Sequence, residues 1–409
     1  MSLRKLQSSI DAGMPPSHGY RMPRSREVTS NSATANWPWR EGNQFQLLDA
    51  SEQYFDRMIQ AVDTAQTYIL MEMYLVQTGI VAGRFVEAFV GAAHRGVAVR
   101  VVLDGFGSLG LSQADRRRLI DAGVDLRTYN VVHLRKRLRN FLRDHRKLLL
   151  VDGEVAFVGG VGLTDEFGVA GPPGWPWRDL VVEIHGPVVS DWQQAFAQTW
   201  QRSGGELTLP PPSLDPLPGE CARARVVLSE AWYRSELANA VARRIGAATT
   251  RAWIMSAYFV PSRRFRKALR RAARRGVDVR LVVPGPLTDH PWVRHAARRF
   301  YGKLLRNGVR IYEYQPRVLH AKMTICDEWV SVGSSNLDRW SFKWNLEGNQ
   351  EIDNAAFADK AAAVFGKDCG LALELDRKRW PQRAWMDRMQ ERLAGWLDRW
   401  LDRWRRPHL

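Results

Sequence analysis

His145-Arg-Lys147-Leu-Leu-Leu-Val-Asp152 and His320-Ala-Lys322-Met-Thr-Ile-Cys-Asp327 carry one sparse polar pattern twice, once in each half of the chain. With 9 histidines and 10 lysines among 409 residues, composition alone produces one His-x-Lys-x-x-x-x-Asp match in roughly one such chain in a hundred. Two matches in equivalent surroundings mark a duplication.

The surroundings repeat as well. Arg95-Gly-Val-Ala-Val-Arg-Val-Val-Leu-Asp-Gly105 is echoed by Arg275-Gly-Val-Asp-Val-Arg-Leu-Val-Val-Pro-Gly285, and Asp121-Ala-Gly-Val-Asp-Leu-Arg-Thr-Tyr129 by Arg306-Asn-Gly-Val-Arg-Ile-Tyr-Glu-Tyr314. Each echo reads as a helix end, a glycine turn and a strand. Apolar periodicity predicts helices over 50–67, 80–94, 229–249 and 262–275, and strands over 68–75, 97–103, 252–260 and 277–283. The class is therefore α/β, with two lobes that repeat one another. The expected division is a flexible basic arm over 1–40, a first lobe over 41–208, a proline-rich linker over 209–220, a second lobe over 221–375 and a Trp/Arg-rich amphipathic helix over 376–409.

Within each motif, strand periodicity of two puts His145 beside Lys147 and His320 beside Lys322 on one face. Asp152-Gly153 has hairpin-turn chemistry. Asp152 and Asp327, though part of the catalytic pattern, thus read more as anchors where strand meets turn than as groups beside a substrate.

Two imidazoles converging across an interface can divide phosphoryl chemistry: one attacks phosphorus, and the other protonates the departing oxygen and then deprotonates the incoming alcohol or water. Lys147 and Lys322 would neutralise the nonbridging oxygens, with Asn336 donating a further hydrogen bond. A histidine nucleophile needs its other nitrogen oriented by a carboxylate. Asp179 and Glu347, each following its histidine at a similar distance, are the candidates, and a structural ion pair is the plain alternative for either. No H-E-x-x-H or close His/Cys cluster points to zinc, and neither a metal nor another cofactor is called for.

Composition sets the partners. A net charge of +17, with arginine supplying 50 of 60 basic side chains, suits phosphate-bearing ligands, anionic phospholipid or nucleic acid alike. Cys221, Cys326 and Cys369 form neither a disulfide framework nor C-x-x-C spacing, which suggests a reducing compartment. No apolar run reaches the roughly 18 residues of a membrane span, and the opening segment has no signal-like apolar stretch. Any membrane contact is expected to be peripheral.

The paired motifs, followed by Gly333-Ser334-Ser-Asn336 in the second copy, resemble those of the phospholipase D superfamily over roughly residues 45–370. The first copy departs from that pattern: it reads Gly159-Gly160-Val-Gly162, with Gly162 where Asn336 stands. Gly160 and Ser334 occupy the intervening matched position. Trp177-Arg-Asp179-Leu-Val-Val-Glu-Ile-His-Gly-Pro187 and Gly333-Ser-Ser-Asn-Leu-Asp338 are similar to the short, non-spanning bacterial cardiolipin synthase branch. The resemblance implies a duplicated phospholipase D-like fold of two mixed-sheet lobes flanked by helices with one active site at their interface, a phosphohistidine on His145, His320 as general acid, and transfer of a phosphatidyl group from phosphatidylglycerol or a related phospholipid to a lipid hydroxyl. It implies peripheral residence at the cytoplasmic side of a bacterial membrane.

The tail adds its own clue. Trp385, Met386, Met389, Leu393, Trp396, Leu397, Trp400, Leu401 and Trp404 recur at helical spacing among arginines, which suits an anionic bilayer interface or a packed helix. Hydrolytic phospholipase D and nucleic-acid phosphodiesterase remain open, as does a catalytically impaired membrane-associating protein, for which Gly162 argues and the two His/Lys pairs argue against.

Overall fold

The computed structural model describes residues 37–169, 176–211, 213–219, 221–230, 236–338 and 344–404. The first half runs β1 (Arg40–Leu48), α1 (Ser51–Thr64), β2 (Tyr68–Met73), α2 (Ile80–His94), β3 (Ala98–Asp104), α3 (Gln113–Asp121), β4 (Asp125–Tyr129), a 3-10 segment (Leu134–Phe141), β5 (Arg143–Asp144), β6 (Lys147–Val151), β7 (Val155–Gly159), the one-turn α4 (Asp165–Gly168), β8 (Val181–His185) and α5 (Val189–Arg202). The second half repeats it as β9 (Ala222–Ser229), α6 (Glu236–Ala247), β10 (Arg251–Met255), α7 (Arg263–Arg274), β11 (Asp278–Pro284), α8 (Pro291–Leu305), β12 (Arg310–Tyr314), β13 (Met323–Cys326), β14 (Trp329–Gly333), β15 (Asn345–Asp353) and α9 (Ala355–Gly370). Strand β16 (Ala372–Glu374) and helix α10 (Trp385–Trp404) follow.

Each half builds the same half-sheet, in the order β1-β8-β7-β6-β2-β3-β4 and β9-β15-β14-β13-β10-β11-β12. The outer three strands of each are parallel, because helices cross over between them, while the inner ones pair antiparallel. The half-sheets fuse edge to edge where β1 meets β9, at Arg40↔Ala224 and Asn43↔Ala222. Neither half therefore leaves its first strand as an open edge.

A central core belongs to both halves: Leu148, Val158, Trp192 and Trp200 pack in one cluster with Val282, Val332, Ile352 and Phe365. Each half keeps a further core on its other sheet face, around Phe55, Phe85 and Leu149 in the first and Phe265, Leu269 and Ile311 in the second. The join is sealed by the buried Trp192 indole, which donates to Gln350 Oε1 at 2.8 Å. Helix starts are set by side-chain caps: the Ser112, Ser262 and Asn354 oxygens accept from the N–H groups of Asp115, Phe265 and Phe357.

Several boundaries differ from the periodicity reading, and one cause recurs. Helix α1 stops at Thr64 rather than 67 because Asp152 captures the N–H groups of Gln66, Thr67 and Tyr68 at 2.8–2.9 Å. Helix α6 stops at Ala247 rather than 249 because Asp327 does the same to Thr249, Thr250 and Arg251 at 2.9–3.0 Å. The segment before α6 is a strand, with Arg223 and Arg225 alternating against buried Ala224 and Val226. Of the expected arm, residues 1–36 lie outside the described residues, whereas Arg40 opens β1 and pairs with Asp191 at 2.9 Å. The proline-rich stretch lies against the first half, with the Leu217 N–H on the Gly42 carbonyl.

Candidate active site

Strand β6 begins at Lys147 and is led in by the short β5, which pairs parallel with the start of β15 at Arg143↔Asn345 and Asp144↔Leu346. That pairing carries the first motif onto the other half: the His145 N–H donates to the Leu346 carbonyl at 2.9 Å. The second motif does the reciprocal thing. Leu319 bridges Arg178, and the His320 N–H donates to the Arg178 carbonyl at 2.8 Å. In both cases the accepting residue immediately precedes a carboxylate.

The carboxylates are therefore exchanged between halves. His145 Nδ1 lies 3.0 Å from Glu347 Oε2, and His320 Nδ1 lies 2.6 Å from Asp179 Oδ2. Spacing along the chain suggested that each histidine is served from its own half; the docking of each motif on the opposite half reverses this. Both carboxylates are buried, at 0% for Glu347 and 2% for Asp179. A buried carboxylate accepts the ring N–H, which fixes Nδ1 as the protonated nitrogen and leaves the Nε2 lone pair to face a ligand.

Glu347 also accepts from Ser334 Oγ at 2.5 Å and from Asn345 Nδ2 at 3.2 Å. At the matched position Gly160 has no side chain, and a Cβ there would collide with both oxygens of Asp179. The shorter aspartate thus reaches its histidine only because residue 160 is glycine. Asn336 Oδ1 accepts from the Tyr258 N–H at 3.3 Å, which leaves the amide NH2 as the donor end. Gly162, its counterpart, is closed in by Leu75, whose Cβ and carbonyl oxygen would lie 3.0 Å from an added Cβ. The Leu163 N–H on the Leu75 carbonyl, at 2.8 Å, holds that closure. The missing asparagine is replaced by a tighter backbone approach rather than by a gap.

Lys147 donates to the His145 carbonyl at 2.6 Å and lies over the Tyr74 ring, 5.1 Å from its centroid. Lys322 donates to the His320 carbonyl and sits 2.8 Å from His320 Nδ1 and 3.2 Å from Nε2. Since Nδ1–H points at Asp179, the ammonium cannot donate to Nδ1, and Nε2 is the ring nitrogen that accepts from it when the ring is neutral. Tyr74 lies tilted against His145 at 4.7 Å between centroids, while Phe167, Trp177 and Tyr258 surround His320 at 5.2, 5.7 and 6.4 Å.

Burial governs the charges. It lowers the His145 pKa to about 4 against the pull of Glu347, with the Lys147 and Lys322 charges adding to the depression. Burial likewise lowers Lys147 to about 7, and Lys322 and His320 are pushed down for the same reason. Lys322 acts on His145 and Lys147, and Asp179 acts on both lysines, so the two motifs share one electrostatic site. An anion arriving there would restore the lysine charges.

Asp152 and Asp327 lie at the other end of β6 and β13 from the histidines. Both adopt positive φ, 54° and 52°, and hold the chain before β2 and β10 through three backbone N–H groups each. They fix the strands that follow the two histidines without touching either imidazole. Sequence reasoning missed Tyr74, Phe167, Trp177 and Tyr258, whose signal was only their place just after, or across from, the strand ends. No group of three or more His, Cys, Asp or Glu side chains close enough to hold a metal occurs among the described residues.

Residues 58–200 and 241–369 match the family profile described as "Cardiolipin synthase, PLD-like domain", so the two matched stretches coincide with the two halves of the sheet. The chain is 34% identical over 375 residues to cardiolipin synthase B of Salmonella typhi, covering 87% of this chain and 88% of that one. It is also 34% identical over 341 residues to cardiolipin synthase A of Pseudomonas aeruginosa, covering 82% and 69%. Among solved structures, phosphatidylserine synthase of Haemophilus influenzae superposes with a TM-score of 0.68 at 13% identity, over 90% of this chain and 95% of that one. The fold is that of a duplicated phospholipase D-like enzyme. The chain belongs to the cardiolipin synthase, phospholipase D-like family.

Proposed function

We propose that the protein transfers a phosphatidyl group from phosphatidylglycerol, or a related phospholipid, to a lipid hydroxyl through a phosphohistidine. The reciprocal docking of each histidine on the other half's carboxylate carries this reading. Neutral His145 attacks phosphorus with Nε2, forming the N–P bond as the P–O bond to the departing alcohol breaks, and His320, entering as the imidazolium that Asp179 and the bound phosphodiester stabilise, gives that oxygen its Nε2 proton. His320 then takes the proton of the incoming hydroxyl, whose oxygen displaces His145 from phosphorus. Lys147, Lys322 and the Asn336 amide face the nonbridging oxygens, whose charge grows in the transition state.

The substrate places the enzyme at a membrane, and the cytoplasmic side of a bacterial membrane is the expected location. No helix among the described residues is long and apolar enough to cross a bilayer. Helix α10 supports peripheral contact: Glu391, Ala394 and Gly395 face α8, with Arg298 and Arg299 bonding to Glu391 and the Gly395 carbonyl. Trp385, Met386, Met389 and Leu393 form the opposite stripe and are 65%, 56%, 51% and 53% exposed. Packing and exposure are thus separate faces of one helix, and the outward face suits an anionic interface.

The test is incubation with vesicles of labelled phosphatidylglycerol, followed by separation of cardiolipin, phosphatidic acid and released glycerol. Cardiolipin with glycerol is the expected outcome. Phosphatidic acid alone would replace transfer with hydrolysis, and the absence of any lipid product, with turnover of DNA, would replace it with nucleic-acid cleavage.

A further inference from the structure

The two halves repeat each other in backbone, but the rims of the site do not match chemically. Lys147 lies opposite Met73 on β2, and the matched register on β10 puts Leu75 of the first half where the second has Tyr258. The contacts agree, since Leu75 closes on Gly162 while Tyr258 bonds to Asn336, the residue matched to Gly162. Beyond them, the loop after β3 presents Phe106 and Leu109 to solvent, 55% and 46% exposed. The corresponding loop after β11 presents Asp289 and His290 instead.

The polar rim is organised. The Tyr258 hydroxyl donates to Asp289 Oδ2, and Thr288 Oγ1 lies 3.4 Å from Oδ1. The His290 ring stands 5.3 Å from that of Tyr258, and its Nε2 is 3.7 Å from Asp289. The Tyr258 ring is set edge-on to His320 at 86°. Asp289 acts on both His320 and Lys322 through its charge, so it stands within their surroundings. With the phenol proton committed to Asp289, the tyrosine oxygen and the carboxylate offer the opening mainly lone pairs.

Resting on the transferase reading above, we propose that Tyr258, Asp289 and His290 form a polyol subsite that binds a second hydroxyl of a glycerol-type alcohol whose first hydroxyl stands at His320. Acceptor atoms call for a donor, which a hydroxyl or an ammonium could provide. Lys322, 2.8 Å from the His320 ring, disfavours a further cation beside it, whereas a neutral hydroxyl meets no such repulsion. A second phosphate would be repelled by Asp289. The departing and incoming alcohols use this subsite in turn, because the second transfer retraces the geometry of the first. Holding the alcohol by two points is how it competes with abundant water for the phosphoenzyme.

The test measures partition of one phosphoenzyme between acceptors. The full chain is given phosphatidylglycerol vesicles with equal concentrations of 1,2-propanediol, 1-propanol and ethanolamine, and the phosphatidyl products are separated by mass. The wild type is expected to favour the diol over 1-propanol by about tenfold, the worth of one hydrogen bond to a charged group. Asp289→Asn and Tyr258→Phe should each bring that ratio toward one. A ratio needs no correction for the amount of folded protein, and Tyr258→Phe keeps the ring if Asp289→Asn fails to fold. A wild-type ratio near one, a ratio unchanged in both variants, or ethanolamine as the favoured acceptor overturns the subsite. Phosphatidic acid with no phosphatidyl alcohol from any acceptor overturns the transferase reading first, and the subsite with it.

Discussion

Glu347→Gln should silence His145, although the two lie on different halves of the chain. Glu347 is fully buried, 3.0 Å from His145 Nδ1, and its other bonds come from Ser334 and Asn345. The amide conserves shape but removes the charge that stabilises the ring, and an NH2 turned toward Nδ1 would select the tautomer whose Nε2 is already protonated. Such a substitution behind a reacting histidine costs about 10³–10⁴ in rate, or about 4–5.5 kcal/mol of transition-state stabilisation. The assay is a burst measurement with a nitrophenyl phosphodiester, whose good leaving group needs little protonation. Loss of His145 orientation then abolishes the burst, while loss of His320 orientation leaves the burst and slows turnover. Glu347→Gln should therefore behave like His145→Ala, and Asp179→Asn like His320→Ala. The opposite assignment, with Asp179→Asn abolishing the burst and Glu347→Gln preserving it, would refute the exchanged pairing.

The remaining expectations concern the site's charge, its glycines and the tail. With the nitrophenyl phosphodiester, whose leaving group needs no proton from His320, kcat/KM should fall below about pH 4, as buried His145 becomes protonated, and above about pH 7, as Lys147 loses its charge; Lys147→Arg should remove the alkaline fall with that substrate. Gly162→Asn should not improve activity and should destabilise the fold by about 1–3 kcal/mol, read as a lower melting temperature, because Leu75 fills the space. Replacing Trp385, Met389 and Leu393 together by alanine should weaken cosedimentation with anionic vesicles at least about tenfold while leaving the melting temperature unchanged, since the three are exposed. Equal vesicle binding by that variant would remove α10 from the membrane contact.

Much of this architecture was legible because duplication prints the same periodicities twice. Helix α2 falls over 80–94 as read, and the buried strands of each half lie within two residues of their apolar runs at the N-terminal end. The helix ends at Thr64 and Ala247 were not legible, because distant aspartates terminate them: local propensity cannot register a carboxylate more than 70 residues away. The exchange of Asp179 and Glu347 was hidden for a related reason. Spacing along a chain says which residues share a strand face, but a swap between halves depends on which edge each motif docks against, and that is set by two backbone bonds to Leu346 and Arg178. The aromatic walls are harder still, since Tyr74 and Tyr258 differ in register by one position and no repeat links them.

The repeat also breaks beneath the histidines. Arg143, Asp144 and Arg146 flank His145, whereas Val318, Leu319 and Ala321 flank His320. Around the first set, buried Asp104 accepts from the Asp144, Phe106 and Gly107 N–H groups and from Arg143 Nη1, while Arg146 reaches Glu72 at 3.4 Å and Thr199 at 3.1 Å. Burial beside Glu72 raises the pKa of Asp144 well above the usual carboxylate range. A buried charge network is a poor source of stability compared with the apolar packing that serves the second half. What it provides is directional: Asp104 ties the β3 loop to β5, and β5 sets the register that delivers His145 to Leu346 and Glu347. The second motif obtains its register from the Arg178–Leu319 bridge, with Arg178 held in turn by Asp368 at 2.9 Å. An attacking atom tolerates less misplacement than a proton donor, because a near-attack geometry must be held before bonding begins. On the proposed roles, the heavier polar scaffold stands behind His145, the attacking histidine.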